Sequence, residues 1–148
     1  NIIKGKPGRS AAKYLSCISK SDYSGERILL VEDNELNREI AKEIIELTGA
    51  IVDTAENGRE AVDKIIDMQD DYYKMVFMDI QMPVMNGYEA AAAIRGLDDR
   101  KKSSIPIVAM TANAFAEDIM LAKNAGMNEH MAKPLDINKL NETLRKWL

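Results

Sequence analysis

The chain of 148 residues is long enough for one domain with a well-buried core and too short for two. Its 46% hydrophobic and 30% charged residues are ordinary for a soluble globular protein, and no apolar run approaches the ~20 residues of a membrane span, so we expect no membrane contact by this domain. The single cysteine, Cys17, excludes an internal disulfide framework and suits the reducing cytoplasm, while the net charge of −4 argues against nucleic-acid binding.

The first part of the chain differs in composition from the rest. Residues 1–25 are basic and contain glycine, serine and proline with only short apolar pieces, which predicts a linker. Residues 26–148 are then predicted to form the folded domain. Because the chain begins at Asn1 and not at a methionine, we expect it to be a segment of a longer protein.

Strand-like and helix-like patterns alternate five times from Arg27 onward, which is typical of a parallel sheet covered on both faces. The predicted strands lie near 27–32, 51–55, 74–79, 105–110 and 128–131. The first helix is predicted to bury a stripe of Leu36, Ile40, Ile44 and Leu47. The other helices are predicted after Asn57, over about 88–97, over about 116–124, and from Asp136 to the end.

Acidic residues end two of the apolar strands. Glu32 and Asp33 follow the first strand, and Asp79 ends the third. If these strands are neighbours, three carboxylates meet at one edge of the sheet, where they repel one another unless a cation lies among them. An all-oxygen cluster suits Mg²⁺. Taken alone, the first turn equally fits a helix N-cap formed by Asp33 or Asn34.

Three further positions extend this predicted site. The loop after Asp79 contains Met82-Pro83 and Asn86-Gly87, which favour a turn that can present the backbone carbonyl of Gln81 to a cation. Thr111 ends the fourth strand and offers a hydroxyl. Lys133 precedes a proline, so its peptide bond is a candidate for the cis form and its ammonium is a candidate for binding phosphate.

Four segments resemble, in order and spacing, the receiver domain of response regulators in two-component signalling. They are residues 30–34, 78–87, 109–112 and 133–134, and the resemblance extends from Arg27 to Leu148. The resemblance implies an α/β, flavodoxin-like fold: a doubly wound, five-stranded parallel sheet in the order 2-1-3-4-5 with five helices.

The resemblance also implies a reaction. Asp79 would be the phosphoacceptor, taking a phosphoryl group from the phosphohistidine of a histidine kinase or histidine phosphotransfer domain. Asp33, Asp79 and the carbonyl of Gln81 would bind Mg²⁺, and Glu32 would reach the ion directly or through water. The domain itself would catalyse only its own phosphorylation and dephosphorylation.

Family resemblance further implies a switch. Thr111 and Lys133 would contact the phosphoryl oxygens, and inward movement of Thr111 would change the face formed by helix four, strand five and helix five. His130 occupies the position where many family members carry a tyrosine or phenylalanine, and it is the predicted switch ring. Gln81 and Asn113 occupy positions where the family tunes hydrolysis of the acyl phosphate.

Several alternatives are open at this stage. The sequence of residues 110–114 and 128–136 is similar to receivers fused to sensor histidine kinases. A cytoplasmic receiver of a hybrid kinase, whose parent protein can be membrane-anchored, is therefore favoured over a free-standing regulator. A binding-only pseudo-receiver would keep the fold without phosphorylation. A covalent aspartyl-phosphate phosphatase ranks last, because such enzymes usually need a second aspartate where this chain has Gln81.

Overall fold

The computed structural model describes residues 23–112 and 116–148, and its centre is a parallel sheet of five strands. The strands are β1 (Arg27–Val31), β2 (Ile51–Ala55), β3 (Met75–Asp79), β4 (Ile107–Thr111) and β5 (Glu129–Ala132). Their spatial order is β2-β1-β3-β4-β5, with all neighbours parallel. The predicted fold class and strand order are therefore confirmed.

Four helices and one helical turn, Arg100–Ser103, connect the strands, and a fifth helix follows β5. The helices are α1 (Glu35–Glu46), α2 (Gly58–Asp67), α3 (Gly87–Arg95), α4 (Ala116–Asn124) and α5 (Ile137–Trp147). Four of them begin after a side chain that accepts a hydrogen bond from a free backbone N–H of the first turn: Asn34, Asn57, Asn86 and Asp136. These caps explain why the helices begin where they do.

The sheet separates two hydrophobic clusters. One contains Leu29, Val76 and Ile107 from alternate strand positions and packs against α2, α3 and α4. The other contains Leu30 and Phe77 from the intervening positions and packs against α1 and α5. Every residue of β3 and β4 is buried, as expected for central strands covered on both faces.

The predicted buried stripe of α1 is wrong at three of its four positions. Leu36, Ile40 and Leu47 are exposed, and only Ile44 packs, half-buried, against the core. The helix fully buries Ala41 and Ile45 instead. Apolar residues stand side by side in this helix, so periodicity alone fits two overlapping stripes. The stripe that contains the small residue Ala41 packs against the sheet. As a result, α1 exposes a row of large apolar side chains to solvent.

Most of the predicted linker, residues 1–22, lies outside the described residues. Tyr23, which was included in that prediction, donates its backbone N–H to the carbonyl of Thr48 and packs against the cluster beneath α1 and α5. None of the helices in the described part of the chain is long and apolar enough to cross a membrane.

The basic side chain of Arg95 holds the amino-terminal edge of the sheet together. Its guanidinium donates to the carbonyls of Gly126, Ser103 and Ile105 and to the side chain of Asn128. Asn128 Oδ1 also accepts from the backbone N–H of Ile107. One half-buried cation thus joins α3, the helical turn, β4 and the loop before β5.

A buried amide on α5 supplies a stability prediction. Neither side-chain polar atom of Asn141 has a hydrogen-bond partner within residues 23–112 and 116–148, although the residue is buried. Replacing it with leucine removes an unpaired polar group, so Asn141→Leu is expected to raise the free energy of unfolding by about 1–2 kcal/mol in urea titrations. Asn128→Leu is the matched control and should lower it, because the Asn128 oxygen accepts two hydrogen bonds. A destabilised Asn141→Leu would contradict the prediction.

Candidate functional site

The carboxyl edge of the sheet opens into a polar cavity of about 510 Å³. All six residues that were predicted to form the metal and phosphoryl site line it: Glu32, Asp33, Asp79, Gln81, Thr111 and Lys133. The strand register explains this, because Val31 pairs with Met78 and Asp79 pairs with Met110, so neighbouring strands end at the same level. The cavity lies where open α/β sheets hold their ligands.

Three carboxylates crowd one side of the cavity. Glu32, Asp33 and Asp79 each offer an oxygen, and these oxygens all lie within 4.8 Å of one another. Glu32 and Asp79 are buried, whereas Asp33 is exposed. Two unit charges at ~4 Å repel by about 4 kcal/mol at an effective dielectric constant of ~20, so the cluster requires positive charge nearby.

The ammonium of Lys133 supplies positive charge within the cavity. Its Nζ lies 2.5 Å from Glu32 Oε1 and 3.1 Å from Asp79 Oδ1. The backbone N–H of Lys133 donates to the carbonyl of Thr111, and the peptide bond to Pro134 is cis, as predicted. The side chain is thereby presented from the end of β5 across β4 to the ends of β3 and β1.

The pKa values of the two buried carboxyls are shifted in opposite directions. Burial, followed by the hydrogen bond and charge of Glu32, raises the pKa of Asp79 from 3.8 to about 7. Burial also acts to raise the pKa of Glu32, but hydrogen bonds from Lys133 and from the backbone of Asn34 lower it overall. Burial acts to lower the pKa of Lys133, and its two carboxylate partners raise it overall. A proton on Asp79 near neutral pH relieves part of the repulsion.

Arg38 is a shaping residue that the sequence analysis missed. Its Nη1 donates to the carbonyl of Glu32 at 2.9 Å and to that of Asp33 at 3.4 Å. The turn that carries both acids is therefore held from α1, and Asn34 N–H donates to Glu32 Oε2 at 3.2 Å. In the sequence, Arg38 is a basic residue near the start of the helix that follows the acidic pair. Such a residue is usually an ordinary surface charge, so its contacts were not predicted.

The loop between Asp79 and α3 is closed by close backbone contacts. The N–H of Gly87 donates to the carbonyl of Ile80 at 2.8 Å. A Cβ on Gly87 would lie 2.4 Å from the carbonyl oxygen of Asp79, so no other residue fits there without displacing the backbone. The tight closure keeps Gln81 at the rim of the cavity.

Two residues at the far rim were also missed. Tyr88, at the start of α3, and Asp118, at the start of α4, line the cavity, and the Tyr88 hydroxyl donates to the carbonyl of Asp118 at 3.4 Å. Of the two remaining positions predicted near the phosphoryl group, Thr111 is buried at the end of β4 and lines the cavity. Asn113, which was predicted to affect hydrolysis, lies outside the described residues.

His130 does not reach the cavity. It lies exposed on the edge strand β5, between α4 and α5. Next to it, Glu129 accepts a hydrogen bond from the indole of Trp147 at 2.5 Å and lies 3.5 Å from the ammonium of Lys146. The role of His130 as a switch ring stays a prediction.

The donor set fits a hard divalent cation. Three carboxylates supply oxygen ligands, and one of them is solvent-exposed. Burial and the neighbouring Glu32 both disfavour the charged form of Asp79, and a bound cation would offset both effects. Mg²⁺ takes one to three protein oxygens and keeps water at its other positions, which an open cavity permits. Glu32, Asp33 and Asp79 are the side chains that would hold it.

Comparison with known proteins identifies relatives over most of the chain. The family described as "Response regulator receiver domain" matches residues 28–145. The chain is 36% identical to hybrid signal transduction histidine kinase L of Dictyostelium discoideum, over 82% of the chain and 7% of the kinase. It is 37% identical to sensor protein GacS of Pseudomonas syringae pv. syringae, over 82% of the chain and 13% of that protein. The chain thus corresponds to a small part of these relatives.

Other relatives have about the size of this chain. The two-component response regulator ORR41 of Oryza sativa subsp. japonica is 40% identical, over 82% of the chain and 93% of the regulator. Among solved structures, the receiver domain of sensor histidine kinase PA1611 from Pseudomonas aeruginosa PAO1 superposes with a TM-score of 0.75 at 34% identity, covering 84% of this chain and 98% of that domain. That structure has a magnesium ion coordinated in its active-site cleft.

The raised pKa of Asp79 predicts how its replacement changes stability. The folded chain holds a proton on Asp79 up to about pH 7, whereas the unfolded chain releases it near 3.8, so this group makes stability fall as pH rises between those values. Asp79→Asn removes the cost of charging this buried group. We therefore expect it to raise the free energy of unfolding by on the order of 2 kcal/mol near pH 8, where Asp79 is charged, and by much less near pH 5, where it is protonated. Urea titrations in EDTA at both pH values measure the difference.

The exposed Asp70 provides a control for this experiment. Its side chain is more than half exposed and lies 3.9 Å from the ammonium of Lys101, so Asp70→Asn should change stability little at either pH. Equal stabilisation by Asp79→Asn at both pH values would contradict the prediction, because it would show that the charge on Asp79 costs nothing.

Proposed function

The chain is a receiver domain of two-component phosphorelay signalling, a member of the response regulator receiver family, and on that basis we propose that Asp79 accepts a phosphoryl group from a partner's phosphohistidine. A carboxylate oxygen of Asp79 attacks phosphorus, the phosphorus–nitrogen bond breaks, and the imidazole, already protonated at its other ring nitrogen, leaves as the neutral ring. The product is an acyl phosphate on Asp79. The observation that carries the proposal is the meeting of Glu32, Asp33, Asp79 and Lys133 in one cavity.

Each residue of the cavity has a proposed task. Bound Mg²⁺, held by Glu32, Asp33, Asp79 and the carbonyl of Gln81, would neutralise the charge of the phosphoryl oxygens. Lys133, already 3.1 Å from Asp79, would donate to one phosphoryl oxygen while its contact with Glu32 keeps it in place. Thr111 would donate its hydroxyl to another.

We further propose that α1 is part of the surface on which the phosphohistidine partner docks. Asp79 is buried, so the imidazole must enter the cavity and the partner must rest on its rim. Leu36 and Ile40 are exposed on α1, next to the rim residue Asn37. A second, mainly apolar cavity of about 340 Å³ between α1 and the loop after β5 shares Glu32 and Lys133 with the first. Apolar side chains of a histidine kinase or phosphotransfer domain suit this surface.

Phosphorylation by a small donor tests the reaction directly. With Mg²⁺ and acetyl phosphate, the intact mass of the chain is expected to increase by one phosphoryl group, because Asp79 is the reactive carboxylate of the cavity. The increase should be absent in Asp79→Asn and in EDTA, and it should be reduced at least about ten-fold in rate in Lys133→Met.

Two outcomes of this test separate the competing functions. No increase in any sample would support a phosphorylation-independent binding module. An increase that persists in Asp79→Asn would place the acceptor elsewhere and overturn the proposal. The phosphatase alternative predicts continuous hydrolysis of an added phosphoester, which the receiver proposal does not.

We propose that the output surface is the face formed by α4, β5 and α5. Thr111 ends β4, one residue before the loop to α4, and its carbonyl already binds the backbone of Lys133 after β5. Only Ala122 is buried on α4 among the described residues, so this helix can shift with little loss of packing. Movement of Thr111 towards a phosphoryl group would therefore reach α4 and the exposed His130 on β5.

The only tryptophan of the chain lies on this face and can report the switch. Trp147 is hydrogen-bonded to Glu129 of β5, so a shift of β5 against α5 should change its fluorescence. Addition of beryllium fluoride and Mg²⁺, which mimics the phosphoryl group, is expected to change the emission of the unaltered chain and to leave that of Thr111→Ala nearly unchanged. An equal change in both would show that the signal does not pass through Thr111.

We favour the receiver of a hybrid histidine kinase as the natural context. Two of the relatives are kinases in which the matching segment is a small part, and PA1611, whose receiver domain superposes on this chain, is also a sensor histidine kinase. A free-standing regulator is the alternative, which ORR41 supports. An antibody against this domain would distinguish the two by the size of the native protein.

A further inference from the structure

The loop after Asp79 contains a strained turn at its tip. The backbone N–H of Met85 donates to the carbonyl of Pro83 at 2.7 Å, and Val84 between them has a φ of 66°. A hydrogen bond that spans two residues with a positive φ at the centre defines the rarer and strained form of the γ-turn. A β-branched side chain makes this conformation more costly still.

The contacts around the tip prevent the strain from relaxing. The N–H of Gly58, at the start of α2, donates to the carbonyl of Met85 at 3.0 Å. A Cβ on Gly58 would lie 2.5 Å from that same oxygen, so the two backbones are as close as they can be. On the other side, Gly87 N–H closes the loop on Ile80, and the ring of Pro83 fixes its own φ. Strained residues persist where their surroundings determine the backbone in this way.

Within residues 23–112 and 116–148, the valine side chain buries little surface that would offset this strain. Its residue is 83% exposed, which is more than any other large apolar residue in the described part of the chain. Glycine would adopt the same φ without steric conflict, and its loss of a side chain would cost no buried surface. The described part of the chain therefore offers no packing that compensates for the strain at Val84, and the exposed side chain is available to a partner.

We propose that the side chain of Val84 is a contact for the protein that donates the phosphoryl group, a histidine-bearing domain with an apolar surface beside its histidine. The inference rests on the proposed function. Met82 and Asn86, on either side of the turn, both line the cavity that holds Asp79. Because the carboxylate of Asp79 is only 8% exposed, an imidazole that reaches it brings the donor's surface against this rim. Val84 lies between these two lining residues in the chain and is exposed.

Small and protein donors separate this role from the chemistry. We would measure phosphorylation by acetyl phosphate and by a histidine phosphotransfer domain that has been phosphorylated with phosphoramidate. Val84→Gly relieves the strain, so its melting temperature should rise by about 3 °C. Its rate with acetyl phosphate should equal that of the unaltered chain, whereas kcat/KM with the protein donor should fall about five-fold, mainly through KM.

Val84→Thr separates the apolar contact from the strain. Threonine keeps the β-branch and the strain but replaces one methyl group with a hydroxyl, so the melting temperature should stay close to that of the unaltered chain while transfer from the protein donor falls. Ile51→Thr is the matched control. Ile51 is an exposed apolar residue at the start of β2, on the opposite edge of the sheet, and its replacement should leave transfer unchanged.

The outcomes distinguish this inference from the proposed function. Failure of acetyl phosphate to label Asp79 would overturn the proposed function itself. Labelling by acetyl phosphate together with transfer rates from the protein donor that agree within two-fold for the unaltered chain, Val84→Gly and Val84→Thr would overturn the contact alone. Labelling by acetyl phosphate without any transfer from the protein donor to the unaltered chain would overturn it too.

Discussion

The contact of one ammonium with two buried carboxylates is the constraint on which the site depends. Lys133 comes from the end of β5, Glu32 from the end of β1 and Asp79 from the end of β3. Without Lys133, burial and mutual repulsion would both disfavour the charged forms of Glu32 and Asp79, and no cation of the site would offset these effects. The carboxyl edge of a five-stranded sheet is thus held together by electrostatics across strands that are not all neighbours.

This arrangement leaves the acids in an unbalanced state that suits their proposed task. One lysine serves two buried carboxylates, whose oxygens lie within 4.8 Å of a third acid, Asp33, so negative charge remains in excess. Burial first, and then Glu32, raise the pKa of Asp79. A divalent cation or a proton relieves that excess, and a bound phosphoryl group gives Lys133 a new partner. The site is less stable than a paired core would be, and the same imbalance provides the affinity for the ligands of the reaction.

The sequence predicted the site better than it predicted the surface around it. Acids at the ends of buried strands must meet when those strands are parallel neighbours, so Glu32, Asp33 and Asp79 could be placed together from pattern alone. The buried side of α1 could not be chosen, because Ile40 and Ile44 compete with Ala41 and Ile45 at the same spacing and only the fit against the sheet decides.

Hydrogen bonds from side chains to backbone carbonyls could not be predicted from the sequence either. Arg38 binds two carbonyls and also lies 3.6 Å from the exposed Glu56, and Arg95 binds three carbonyls and one amide. The contacts to the carbonyls have no acidic partner whose spacing would have revealed them. For the loop after Asp79 the sequence predicted a turn from Met82-Pro83 and Asn86-Gly87, whereas the positive φ lies at Val84 and Asn86 caps α3. The unusual type of this turn follows from how Gly58 and Gly87 hold the loop, and both of those contacts are tertiary.

The close approach of Gly58 to Met85 determines what mutations at position 58 do to signalling. Position 58 lies in a different βα unit from Asp79, and its side chain would touch neither metal nor phosphate. Yet any Cβ there would push on the loop that borders the cavity, through a backbone oxygen only 2.5 Å away. Alleles that change this glycine should therefore behave like lesions of the reactive centre, and a genetic screen for signalling defects would recover them at a residue that performs no chemistry.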